Sequence, residues 1–159
     1  MPKTSAGLVL YRGTGADLEV LLVHPGGPMW ARRHEGAWSI PKGEIEPGEE
    51  PLSAACREFA EELGHQPPGG EALDLGEIRQ RGGKVVRGFA LAGDLDPATI
   101  VSERIEVEWP PRSGQTIEIP EVDRAEWFAP AAMREAINPA QIDLIERLYA
   151  ANAGDAGGA

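Results

Sequence analysis

Along the first 25 residues the polarity pattern has a period of about two. Residues 5–11 (SAGLVLY) and 18–24 (LEVLLVH) are short apolar-rich runs, and RGTGAD between them carries turn glycines, so they predict a hairpin or adjacent strands. PGGP at 25–28 breaks the second run. Residues 29–37 then read as a loop, and 38–40 as a short strand stopped by Pro41.

From residue 50 the period changes. Leu52, Ala55, Cys56, Phe59 and Leu63 recur at helical spacing. Pro51 suits a first helical position and Gly64 the residue just past the end. The predicted helix is amphipathic. Phe59, Leu63 and Leu52 form its apolar stripe, expected to pack on a sheet. Glu58, Glu61 and Glu62 span only about 100° of a neighbouring arc, since each residue turns about 100°. Like charges at i, i+3 and i+4 repel. A solvated helix tolerates that cost, whereas a metal site requires that arrangement, and REFAEE alone leaves both readings open.

After the loop QPPGG, strand signals resume at 73–80, 85–92 and 105–109. PPRSGQ forms a turn, and 125–128 reads as a last short strand. Asn138 caps a final helix with Pro139 at its first position and Ile142, Ile145 and Leu148 on its buried stripe. The tail, residues 151–159 (ANAGDAGGA), has too little apolar surface to order itself and is expected to be disordered. Strands interleaved with two main helices predict one α/β layered domain over residues 1–150.

Composition narrows the function. The 159 residues are 42% hydrophobic and 26% charged, ordinary for one globular domain. No apolar run reaches the roughly 18 residues that span a bilayer, so no membrane partner is expected. The apolar stretch before Arg12 is too short for a secretory signal, and a cytoplasmic location is expected. Cys56 is the only cysteine, which excludes an internal disulfide. It reads as a small buried hydrophobe, with no histidine near it in sequence to make it a nucleophile. The net charge of −11 argues against a nucleic-acid partner, which would meet a basic face. It permits a small phosphorylated ligand if divalent cations lie between the two negative partners.

The stretch GEIEPGEEPLSAACREFAEELGH, residues 43–65, bears on the two readings of the acidic face. Gly43, Glu49, Arg57, Glu58, Glu61, Glu62 and Gly64 stand at fixed spacing with bulky Phe59 after Glu58. This pattern resembles the Nudix box, the signature of the Nudix hydrolases. His65 departs from it, because an aliphatic residue is usual there; a local packing difference is expected. The resemblance implies an α/β/α sandwich with a mixed central sheet and a loop–helix–loop catalytic surface. It implies that Glu58, Glu61 and Glu62, helped by the backbone carbonyl of Gly43 or its neighbour, hold Mg2+ or Mn2+. Such hard cations take oxygen ligands together with waters and substrate phosphates. It also implies that Arg57 orients the catalytic glutamate with its guanidinium fork. Glu49 would hold the loop against the helix. Glu44, Glu46 and Glu50 match no fixed position and read as solvated.

The implied reaction is hydrolysis of a phosphoanhydride, with metal-neutralised oxygens and an attacking water. Glu61 or Glu58 is the first candidate for its proton acceptor. Glu121 in IPEVDRAEW is a possible extra acid, or a solvated loop residue. The preceding Trp-Ser-Ile-Pro-Lys-Gly, residues 38–43, is similar to that of dinucleoside polyphosphate hydrolases. That makes a small-molecule nucleotide the expected partner, with Lys42 on a phosphate. Trp38 either stacks on a base or fills the core. Arg32 and Arg33, with Trp30 and His34, form a cationic aromatic loop that would clamp substrate or be incidental surface. Lys84 and Arg87 are further phosphate candidates, and His24 and His65 receive no role. The alternatives are a nucleoside triphosphate or oxidised dNTP pyrophosphohydrolase and a nucleotide-sensing module without turnover. The module would usually lack one of the box acids, and all are present. A nucleic-acid decapping enzyme fits poorly with the acidic charge.

Overall fold

The computed structural model describes residues 3–157. Eight strands and three α-helices follow in the order β1 (Thr4–Arg12), β2 (Glu19–Pro25), β3 (Lys42–Glu44), α1 (Pro51–Leu63), β4 (Leu73–Arg79), β5 (Val85–Ala92), β6 (Arg104–Glu108), β7 (Thr116–Pro120), β8 (Val122–Phe128), α2 (Pro130–Ala136) and α3 (Ile142–Gly157). The main sheet is mixed, in the order β4-β5-β1-β2-β8, with β3 also on β1. β1 and β5 are parallel from Thr4↔Val85 to Tyr11↔Ala92, and the other pairings are antiparallel. β6 and β7 form a separate two-stranded sheet.

Side-chain alternation makes this a sandwich. On β1, Ala6, Leu8 and Leu10 belong to a core cluster with Ala55, Phe59 and Leu63 of α1. Val9 points the other way, into a cluster with Met133 of α2 and Leu144, Ile145 and Leu148 of α3. Both faces of β1 are dry, so its period-two pattern separates two cores.

One topological detail places the site. β2 pairs with β1 only at Tyr11↔Val20 and Arg12↔Glu19. It then diverges, and β3 takes the vacated edge of β1 at Ser5↔Glu44, Ala6↔Gly43 and Gly7↔Lys42. The sheet therefore splits into a V, with Lys42 on one arm and β2–β8 on the other. Residues 36–41 hold the V open. Trp38 exchanges backbone hydrogen bonds with Ala136 and Asn138 (3.0 and 2.7 Å). The buried Gln141 amide bonds the backbone N–H of Ile40 and the hydroxyl of Ser39 (both 3.0 Å).

The structure departs from expectation in several places. Two strands, β3 and β7, and the helix α2 were not foreseen; α2 buries only Met133 and Ala136, too few for a helical period. The expected strand at 38–40 is reduced to isolated bridges, Val23↔Ser39 and Trp38↔Ile137. Leu52 is 39% exposed, because at the first turn of α1 it lies beyond the sheet's cover. α3 continues through Gly157 instead of stopping at residue 150. The rest of the expected tail, residues 158–159, lies outside the described residues. Asn138 does cap the Pro139–Gln141 turn that leads into α3, its side chain accepting from the Ala140 N–H (3.0 Å). No helix among the described residues is long and apolar enough to cross a membrane.

Candidate functional site

Helix α1 brings its acids to the open end of the V. Gly64 closes the helix in the left-handed conformation (φ 73°), its N–H bonding the Ala60 carbonyl (2.8 Å). Two further carbonyls at this end are satisfied from outside the helix. The backbone N–H of Val101 bonds Leu63 O, and that of Glu103 bonds Glu61 O (both 3.0 Å). The Glu121 N–H in turn bonds Glu103 O (2.9 Å). A backbone relay thus runs from the acidic turn through Glu103 to Glu121 at the start of β8.

Arg57 organises the acids on the other side. Its Nε and one terminal nitrogen bond both oxygens of Glu49 (2.9 and 3.0 Å), and that same nitrogen also reaches the Glu44 carbonyl (3.0 Å). Its other terminal nitrogen bonds Glu58 Oε1 (2.8 Å) and Glu61 Oε1 (3.3 Å). The Arg57 hydrogen bonds, with the Glu46 N–H donating to Glu49 Oε1 (3.0 Å), pull the Glu49 carboxyl down to about 2. Glu49 is therefore a fixed anionic anchor for the 44–49 loop. Arg57 uses its whole fork, which a lysine could not reproduce.

Glu58 and Glu62 are buried, unusual for carboxylates. The Glu58 carboxyl lies against Gly43, where a Cβ would fall inside it. Burial pushes the Glu58 carboxyl up, against the pull of Arg57. Burial, reinforced by Glu121, pushes Glu62 well above the usual range, and Glu62 Oε2 has no hydrogen-bond partner. Burial also raises Glu121, with Glu58, Glu61 and Glu103 adding to the effect. Lys42 faces these acids and is lowered by its own burial and by Lys84. Lys42, Glu62 and Glu121 line one cleft with Val23, Ser39 and Ile40.

Whether this acid set suits a divalent cation is a question of charge. Three crowded carboxylates with raised proton affinity, one buried oxygen without a partner, and a glycine that makes room for Glu58 together fit a cation-binding site. Among the described residues, no three His, Cys, Asp or Glu side chains are gathered on one point. Arg57 bonds Glu58, Glu61 and Glu49 together.

Other expected site residues lie elsewhere. Trp38 does not line the acid cleft: it is fully buried, edge-on to Phe128 and His24, its Nε1–H donating to His34 Nδ1 (3.1 Å). Arg32 and Arg33 are exposed on the 26–36 loop and do not line the acid cleft. Arg33 lies over the Trp30 ring, 5.4 Å from its centroid. Arg87 is paired with Asp74. Cys56 is half-buried, and burial pushes its thiol up, away from nucleophile behaviour.

Sequence reasoning passed over His24, which is fully buried and holds two elements together. Its Nε2 donates to the Arg33 carbonyl (2.6 Å), and its Nδ1 lies 2.9 Å from Asp123 Oδ1. The β2–β8 register slips between His24 and Pro25, and Asp123 is the residue left out of the ladder. Glu103 was also missed; no local signal marks it, because it acts through its backbone. His65 bonds the Thr99 carbonyl (3.1 Å) and hydroxyl (2.9 Å), and so ties the end of α1 to the 97–99 turn.

Comparison with known proteins agrees with this architecture. The NUDIX domain model matches residues 1–148, and the chain belongs to that family. An RNA pyrophosphohydrolase of Brucella anthropi is 30% identical over 161 aligned positions, covering 83% of this chain and 85% of that protein. One from Rhodospirillum rubrum is 39% identical over 79 residues, covering 48% of this chain and 43% of that protein. A Caenorhabditis elegans asymmetrical bis(5'-nucleosyl)-tetraphosphatase is 41% identical over 58 residues, covering 36% of this chain and 38% of that protein. In three dimensions a C. elegans Ap4A hydrolase binary complex superposes with a TM-score of 0.63 at 23% identity, covering 94% of this chain and 98% of that one. That likeness shows the fold.

Proposed function

We propose that the protein hydrolyses a phosphoanhydride bond in a nucleoside-diphosphate-linked substrate, with a dinucleoside polyphosphate as the preferred class and Mg2+ or Mn2+ as cofactor. One observation carries this reading. The buried carboxylates of Glu58 and Glu62, one seated on Gly43 and one with an unpartnered oxygen, face Lys42 across a cleft. Neither a solvated acidic face nor an ordinary core accounts for that cost.

Glu58, Glu61 and Glu62 would hold the cation, which when bound neutralises phosphate charge and activates water. Arg57 keeps Glu58 and Glu61 oriented from behind, and Glu49 keeps Arg57 in place. Lys42 supplies a cation for a substrate phosphate. Glu121, whose carboxyl is raised toward the working range of a general base, can take the proton of the attacking water. Its tether to the Glu61 backbone through Glu103 supports that role over a solvated one.

A second reading is supported by the Brucella relative, whose match spans most of both chains: removal of pyrophosphate from the 5′ end of RNA. The net charge of −11 weighs against a long polyanion. The test is hydrolysis of diadenosine tetraphosphate, nucleoside triphosphates and a 5′-triphosphate RNA, each with Mg2+ and with EDTA, and product analysis. Highest kcat/KM on diadenosine tetraphosphate, lost in EDTA, is expected. Preference for the RNA would establish the second reading, and no turnover of any of them would refute both.

A further inference from the structure

Beside the acid cleft lies a second one of different chemistry. The strand pair β6–β7 is amphipathic across its own small sheet. Ile105 pairs with Ile119 and Val107 with Ile117, so four aliphatic side chains share one face, whereas Glu106 and Glu118 share the other. The apolar face turns toward the 25–30 segment, and Ile119 packs beside Gly27. Between them is a cleft of approximately 200 Å³, walled by Trp30 on the loop side and Trp109 at the hairpin end. Pro25 and Glu121 line both this cleft and the acid cleft, so the two are continuous.

Its lining says what it accepts. No lysine or arginine lines it, so it offers a phosphate no side-chain cation; Glu121 lines it, and the Glu108 carboxylate, on the Glu106 face of the hairpin, accepts from the Arg112 N–H (2.9 Å). A volume below the roughly 300–1,000 Å³ of a drug-sized pocket suits one flat ring system. Indoles offer stacking faces, worth about 1–3 kcal/mol per base. Arg33 lies over the Trp30 ring, holding the indole in place from the loop side. His24 in turn anchors the Arg33 carbonyl, so this wall is positioned from the core.

We propose that the cleft between Trp30 and Trp109 holds the nucleobase of the substrate, stacked on indole, while the phosphate chain runs past Glu121 to Lys42 and the acids. The proposal rests on the nucleotide reading above but does not depend on which nucleotide is cleaved. The hairpin β6–β7 is then the element that sets base preference.

The test is calorimetric binding of AMP without metal, with ribose 5-phosphate as the base-free control. Trp30→Ala and Trp109→Ala should each weaken AMP about tenfold, in line with the stacking contribution. Trp30→Phe and Trp109→Phe should restore most of the affinity. Val107→Trp, which fills the cleft from the hairpin side and removes neither indole, should abolish AMP binding. Ribose 5-phosphate binding should not change in any variant. Unaltered AMP affinity in the Val107→Trp protein overturns the proposal, as does an equal loss for AMP and the base-free control. A dimer in sedimentation that Val107→Trp dissociates, with AMP binding unchanged, would overturn it in favour of a second copy as occupant. Because binding is read without turnover, an inactive wild-type protein that needs both indoles for AMP refutes the hydrolase reading alone. An active enzyme indifferent to them refutes the cleft alone.

Discussion

The acid rim and the aromatic wall meet at Glu121 and are held by opposite means. The rim is dense with charge. Its side chains are fixed by one another, through the five-way grip of Arg57 and the burial of Glu58 and Glu62. The wall is apolar and thin. The hairpin β6–β7 lies off the main sheet, and the 26–36 loop is fastened by few bonds, the Gly26 N–H to Glu121 O and His24 to Arg33 O among them. A rim built this way has low tolerance for altered chemistry, and a wall built this way has low tolerance for altered position. Changes in the rim should therefore appear in kcat, and changes in the wall in KM.

Glu58→Gln and Glu62→Gln should break the rim most severely. Each replaces a proposed carboxylate ligand of the cation with a neutral amide of the same shape. We expect kcat to fall by about 10²–10³-fold or more. Thermal melts in EDTA should show a Tm unchanged or raised, because a buried charge has been removed. Mg2+ should raise the Tm of the wild type and not that of either variant. Full activity in both variants would contradict the assignment of the rim.

Gly43→Ala probes the same rim through a single methyl group. Gly43 is not among the residues with positive φ, so alanine fits its backbone. The new Cβ meets the Glu58 carboxyl, which must move. A displacement near 1 Å of a group that must be positioned costs activity steeply, and we expect a 10–100-fold drop in kcat, by roughly that rule, with little change in fold. Steady-state kinetics beside a melt separate this outcome from misfolding. A variant with normal kcat would mean that Glu58 works from another rotamer.

The two regions also differ in how much of them the sequence discloses. The rim is local. Gly43, Glu49, Arg57 and the three glutamates lie within 23 consecutive residues, and their meaning follows from helical geometry and a resemblance. The long strands β1, β2, β4 and β5 were legible for a similar reason, since a period-two pattern of aliphatics is a local signal. The wall is assembled from distant parts. Trp30 and Trp109 are far apart in sequence, β7 is a short run with only two aliphatics, and Trp38 looked as suitable for stacking as Trp30 until burial separated them. Glu103 carries no signal because its backbone does the work. His24 carried none because its partners, Asp123 and the Arg33 carbonyl, are defined by a bulge and a loop.

His24→Asn should produce the smallest effect and the one most specific to the wall. Asparagine is too short to span both partners, so the Arg33 carbonyl loses its donor and the loop carrying Trp30 its tie to the core. Loss of a buried hydrogen-bonded group costs about 1–3 kcal/mol of stability. Substrate must then order the loop on binding. One immobilised side chain costs about 0.5–1.5 kcal/mol, so KM should rise by roughly two- to tenfold while kcat changes little. Initial rates over a substrate series give both constants. A fall in kcat with KM unchanged would place His24 with the rim and dissolve the division between the two regions.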